Sequence, residues 1–192
     1  MSTCTDHMGE DSPWPKTIAL AQARSLLGLW RNMPSPKARS ALDPLAFGGR
    51  ILPHLNIMRR VGSAGRIDDI HFDLVGGVIR DTVPRLRPGA LALGGAAPDE
   101  DRTTLFGFYA KCLADKAPVA FTGQYLSETK VRTCLLCLCL PLDTGGDGPA
   151  ESLLAGAWFL PVDGKNQDGP IGVFEEIPVG RLQDCAVPSL KM

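Results

Sequence analysis

Residues 130–142 decide the fold, and they read Lys-Val-Arg-Thr-Cys-Leu-Leu-Cys-Leu-Cys-Leu-Pro-Leu. The stretch is almost wholly apolar after Arg132, and polar loop sequence lies on either side of it. A long apolar run of this kind predicts a buried strand. Because successive side chains of a strand point to opposite faces, residues 136, 138 and 140 share one face and residues 135, 137 and 139 share the other. A strand that is apolar on both faces must be covered on both.

Two covers are therefore expected for this strand. One is the helical core of the domain, and the other is a helix at residues 16–33, a second subunit, or both. If the second face were left open, it would form an adhesive apolar patch. The predicted interaction surface consists of Leu27, Trp30, Leu136, Leu138 and Leu140.

The patterns on either side of this strand predict further elements. Apolar and polar residues alternate at 118–126, and 152–162 is another apolar run, so both are predicted strands. Residues 99–116 combine acids in the first turn with one apolar face, which is typical of a helix. A turn containing glycine joins two short segments, 54–61 and 70–74, into a predicted hairpin.

The order of these elements predicts the fold class. It runs helix, two strands, helices and three strands. We expect an α+β fold with a five-stranded antiparallel sheet, helices inserted between strands 2 and 3, and an N-terminal flanking helix at 16–33.

Length and composition set the limits of the domain. With 192 residues the chain suits one domain, predicted at 16–164, with a disordered leader at 1–15 and a loose tail at 165–192. The net charge is −1 without a basic stripe, which argues against nucleic-acid binding. The sequence contains no run of about 18 apolar residues, so no membrane span is predicted. The polar leader cannot be a secretory signal, so a cytoplasmic location is expected.

Several short motifs occur in order along the sequence: Leu29-Trp30, Met33-Pro34-Ser35, Leu42-Asp43-Pro44-Leu45, Ile51-Leu52-Pro53-His54-Leu55, Phe72-Asp73-Leu74-Val75-Gly76, Leu140-Pro141-Leu142 and Phe159-Leu160-Pro161. Together they resemble the motifs of the alphaproteobacterial family of single PAS-domain proteins usually called PAS_5. The resemblance covers roughly residues 26–164, and it departs at 84–89, where the family usually carries a polar Gly-Arg-x-Leu-Thr-Gly element.

The resemblance implies a sensory or protein-interaction module of bacterial signal transduction rather than an enzyme. Such a module acts by forming a homodimer or by docking on a signalling protein such as a histidine kinase. Its pocket would lie between the sheet and the helix at 99–116, although the same space could be a filled core. The residues predicted to line it are Phe72, Leu74, Tyr109, Leu135 and Cys137.

Two alternative functions remain open from the residues alone. One is a receptor for a small molecule, such as a nucleotide second messenger or a lipid-like ligand. The other is a thiol-based redox sensor that uses Cys137 and Cys139. A metal site is not expected, because alternation places Cys134 on the opposite face from these two cysteines. No cofactor is predicted, since Cys112 lacks the polar setting of a flavin-binding cysteine and no histidine lies where haem would need one.

Overall fold

The computed structural model describes residues 14–63, 65–94, 100–126, 131–143, 145–162 and 171–184. Within them, six strands form one sheet in which all neighbouring strands are antiparallel. The strands are β1 (Leu55–Val61), β2 (Asp69–Val75), β3 (Val119–Leu126), β4 (Arg132–Leu142), β5 (Ser152–Pro161) and β6 (Phe174–Ile177). Their order across the sheet is β2-β1-β5-β4-β3-β6, so the apolar strand β4 has a neighbour on each side.

Helices cover both faces of the sheet. They are α1 (Trp14–Asn32), α2 (Pro44–Ile51), α3 (Gly77–Thr82), α4 (Glu100–Asp115) and α5 (Arg181–Asp184). Helices α3 and α4 pack on one face, here called the inner face, and α1, α2 and α5 pack on the outer face. The predicted α+β class and the helices between the second and third strands are confirmed. No helix in the described ranges is long and apolar enough to cross a bilayer.

Helix α1 lies directly on the outer face of β4 and β5. This close approach depends on Gly156 of β5, because a Cβ at that position would lie 2.7 Å from Cδ2 of Leu26. Two indole N–H groups then bind across the interface. Trp158 donates to the side-chain oxygen of Gln22 at 2.7 Å, and Trp30 donates to the carbonyl of Pro141 at 2.8 Å. The leading helix is thus an integral layer of the domain.

The residues predicted as an interaction surface are therefore mostly interior. The cover for the second face of β4 is α1 of the same chain, one of the covers that the sequence left open. Trp30 is half-buried and carries the ammonium of Lys37 4.8 Å above its ring. The other four are at most 2% exposed: Leu27, Leu136, Leu138 and Leu140.

The predicted number of strands is wrong, because part of the supposed loose tail forms β6. Residues 174–177 pair antiparallel with β3 at the edge of the sheet. Gly123 of β3 permits this, since a Cβ there would lie 2.9 Å from Cα of Phe174. The predicted leader also ends earlier than expected, with α1 beginning at Trp14. Residues 1–13, 163–170 and 185–192 lie outside the described residues, so the predictions made for them are not addressed.

Candidate functional site

A cavity of about 300 Å³ lies on the inner face, between the sheet, α3, α4 and the segment 83–94. Most of its walls are apolar, which is usual for a small-molecule site. Five aromatic side chains line it: Phe72, Phe106, Tyr109, Phe159 and Phe174. Two exposed residues of the wall, Arg85 and Leu91, show that the cavity reaches the protein surface.

The segment 83–94 forms the outer wall of the cavity and is bonded to the edge strand β2. The Phe72 N–H donates to the carbonyl of Ala90 at 2.9 Å, and the Ala92 N–H donates to the carbonyl of Ile70 at 2.8 Å. Arg85 and Leu86, which lie where the sequence departs from the family pattern, both line the cavity. The side chains of this wall are therefore particular to this chain, and the resemblance to the PAS_5 family does not indicate which ligand they bind.

Three of the five residues predicted to line a pocket do so, namely Phe72, Tyr109 and Leu135. Leu74 lies elsewhere and is 43% exposed. The cause is a β-bulge, because Leu74 pairs with Ile57 while Phe72 pairs with the next residue, Met58. One extra residue in a strand turns all following side chains to the opposite face. Simple alternation from Phe72 therefore gave the wrong face for Leu74.

Cys137, the fifth predicted residue, is buried in the inner core but is not part of the cavity wall. Its sulfur lies 3.8 Å from that of Cys139, and Cys112 of α4 is buried in the same cluster. Burial raises the pKa of Cys112. Burial, followed by the hydrogen bond and charge of Cys137, raises the pKa of Cys139. Thiols in such surroundings remain protonated and react poorly.

We therefore predict that these three cysteines resist a water-soluble maleimide in the folded protein. The tested variant replaces the other cysteines, Cys4, Cys134 and Cys185, by serine. Labelling should be at least about a hundredfold slower than that of a cysteine introduced by Leu45→Cys, since reaction requires local opening. Leu45 is 87% exposed, so this substitution provides the positive control. Fast native labelling of Cys137 and Cys139 would instead support the redox sensor.

Asn56 of β1 is the most unusual residue of the cavity wall. It is 3% exposed, and its side-chain oxygen is buried without a hydrogen-bond partner in the described part of the chain. Its neighbours across the sheet are Val75 and Ala155, neither of which has a polar side chain. Leaving such a group unpaired costs about 1–3 kcal/mol. A polar atom held at this cost beside a cavity indicates a place where something else binds.

Other polar groups of the cavity lie near its surface opening. Asp101 and Arg102, at the start of α4, both line the wall, and the Nε of Arg102 donates to the carbonyl of Ala92 at 3.1 Å. Burial raises the pKa of Tyr109, and the nearby Cys137 and Cys139 raise it further, so its hydroxyl stays neutral. These charges and donors can orient a ligand, but they do not form a nucleophile–base pair.

Outside the cavity, two histidines have structural partners. His54 Nδ1 lies 3.1 Å from the carbonyl of Ala157, and burial lowers its pKa despite this bond. His71 binds Asp73, which Arg39 and Arg59 also contact. Burial by itself would raise the pKa of Asp73, but hydrogen bonds from Arg39, His71 and Arg59 lower it. In the parts of the chain described, no group of three histidine, cysteine or acidic side chains is arranged to hold a metal.

Sequence reasoning missed most of the cavity wall. Phe174 was assigned to a loose tail, and the wall at 83–94 lacks any periodic pattern. Asn56 offered a usable signal, since it is a single polar residue within the apolar run Leu55-Asn56-Ile57-Met58. Comparison of the chain with protein-family models, curated proteins and solved structures finds no match in any of the three.

Proposed function

We propose that this protein is a PAS-type sensory module that binds a small, largely apolar molecule in the inner-face cavity. The single observation that carries the proposal is the cavity of about 300 Å³, whose wall includes Asn56, a residue with an unpaired side-chain oxygen. This combines the family resemblance with the small-molecule alternative drawn from the sequence. The order of elements supports it, since the helices between β2 and β3 close one face of the sheet.

The size of the cavity supports a ligand of about ten non-hydrogen atoms, since an apolar cavity of about 150 Å³ in another protein holds benzene, which has about six. A mononucleotide has roughly twice as many such atoms, so this space would not enclose it. The proposal therefore favours a small apolar molecule over a nucleotide second messenger.

Strand β5 offers a route from the cavity to the outer face. Ala157 and Phe159 line the cavity, whereas Trp158 between them lies under α1. Trp158 donates to Gln22 of α1 at 2.7 Å. A ligand that displaces the wall at Ala157 would thus move the residue that holds α1. We propose that the output is a change in α1, read by a second copy of the chain or by a signalling protein such as a histidine kinase.

The redox alternative has less support. Its two cysteines are at most 1% exposed and lie outside the cavity wall. A redox-sensing thiol needs solvent access and a lowered pKa, whereas Cys139 has a raised pKa.

The test uses ¹⁵N-labelled full chain titrated with indole, a flat apolar probe with nine non-hydrogen atoms, about the size expected for the cavity. We expect saturable chemical-shift changes grouped around Phe72, Leu86, Leu105 and Ala157. Ala157→Leu places a larger side chain in the cavity and should abolish these changes. Ala114→Leu, the same substitution at an exposed position of α4, should preserve them. Indole binding that survives Ala157→Leu, or no binding to the unmodified chain, would contradict the proposal.

A further inference from the structure

We infer that the ligand of this cavity is a small flat aromatic molecule carrying one N–H or O–H donor, which Asn56 recognises through its side-chain oxygen. This inference rests on the proposed function and specifies its ligand. It depends on two independent features of the wall: the side chain of Asn56 on β1, whose amide oxygen is unpaired, and the aromatic rings that line the same cavity.

The position of Asn56 in the sheet determines what it can bind. Its backbone is held on both sides, by β2 at Val75 and by β5 at Ala155. Rotation about the side-chain bonds leaves both strand pairings intact, so a ligand in the cavity can turn the amide and bond its oxygen. Because the buried oxygen accepts hydrogen bonds only, a matching ligand must supply a donor.

The shape of the cavity favours flat molecules. Phe121, which is fully buried in the inner core, contacts Tyr109 and Phe174 edge-on, with ring centroids 6.1 and 6.3 Å apart. Phe108 stacks on the same ring at 4.4 Å. These contacts fix the orientation of two of the rings in the cavity wall. A flat aromatic ligand can stack or meet such rings edge-on, which adds to the gain from apolar burial.

Selectivity should come from the cost of leaving Asn56 unpaired. A ligand with a donor satisfies the amide oxygen, whereas an equally large hydrocarbon excludes water and leaves it without a partner. A site built to bond a donor discriminates strongly against an isostere that lacks it. We expect a preference of about tenfold or more for the donor-bearing molecule.

Three probes with one fused-ring skeleton test this inference on the full chain. Indole carries an N–H donor, benzofuran carries an acceptor oxygen at the same position, and indene carries a methylene group. Dissociation constants are measured by NMR titration, for the unmodified chain and for Asn56→Leu. The unmodified chain should bind indole about tenfold or more tightly than either analogue. In Asn56→Leu, which removes the acceptor at similar volume, the three affinities should become nearly equal.

The outcomes separate the inference from the proposed function. Equal binding of all three probes to the unmodified chain would overturn donor recognition while leaving the ligand cavity intact. Tighter binding of benzofuran than of indole would overturn it as well, since the amide would then present its N–H₂ group. A preference for indole that persists in Asn56→Leu would overturn the role of Asn56, because another residue would then accept the hydrogen bond from the donor. Failure of all three probes to bind would overturn the cavity proposal itself. The comparison on the unmodified chain holds even if the variant fails to fold.

Discussion

The variant Leu138→Asp is expected to lose its folded structure. Leu138 is fully buried at the centre of β4, between the sheet and α1. Truncating a buried leucine costs about 2–5 kcal/mol, and an unpaired carboxylate in an apolar core costs several kcal/mol more. The sum of about 5 kcal/mol or more approaches the whole stability of a typical domain. Circular dichroism and urea unfolding of the full chain measure the loss.

The matched control is Leu74→Asp, which makes the same chemical change at an exposed position of β2. Its free energy of unfolding should remain within about 0.5 kcal/mol of the original value. If Leu138→Asp folded normally, the outer face of β4 would not be an interior surface. If Leu74→Asp unfolded the chain, the placement of the bulge that turns Leu74 outward would be wrong. The two variants therefore test the docking of α1 and the register of β2 separately.

Burial of Leu138 also changes how protein contacts of this domain should be studied. A charged residue at 138 unfolds the domain, so a loss of partner binding in that variant would say nothing about docking. Partners of the folded protein must meet exposed surface, or must displace α1 from β4 and β5. Substitutions at Gln22, whose side chain accepts the Trp158 hydrogen bond, probe the second route without placing a charge in the core.

Local sequence patterns predicted the parts of the fold that depend on local forces. Asp43 before Pro44 is a typical start of a helical turn, and the Asp43 carboxylate accepts a hydrogen bond from the backbone N–H of Leu45 at 2.9 Å. The two faces of β4 were also predicted correctly, since Cys134 and Cys137 lie in different cores. Alternation and capping act over a few residues, so the sequence displays them directly.

Features set by distant contacts could not be predicted in this way. β6 is only four residues long, and it forms because Gly123, about fifty residues earlier, leaves room for Phe174. The bulge that exposes Leu74 depends on pairing between β1 and β2, which no pattern within β2 displays. Asn56 becomes informative only when the apolar residues across from it are known. The candidate site therefore followed from tertiary packing more than from any motif.

Gly76 is a position where a single added methyl group should do considerable harm. Its φ of −63° suits any residue, so conformational freedom is not the reason for glycine here. A Cβ at this position would lie 2.7 Å from the carbonyl carbon of Pro53 and 2.9 Å from the carbonyl oxygen of Leu55. The Gly76 N–H also donates to the Leu55 carbonyl at 2.8 Å, which fixes the two segments together.

We therefore expect Gly76→Ala to lower the free energy of unfolding by about 3 kcal/mol, because backbone atoms must move to admit the methyl group. The next residue, Gly77, is a matched control, since nothing lies within 4 Å of its added Cβ. Gly77→Ala begins helix α3 with a better helix former and should be neutral or stabilising by up to about 1 kcal/mol. Urea unfolding distinguishes the two variants, and equal effects would contradict the close packing at Gly76. Because α3 and β1 supply Ile79 and Asn56 to the cavity, Gly76→Ala should also weaken indole binding, whereas Gly77→Ala should leave it unchanged.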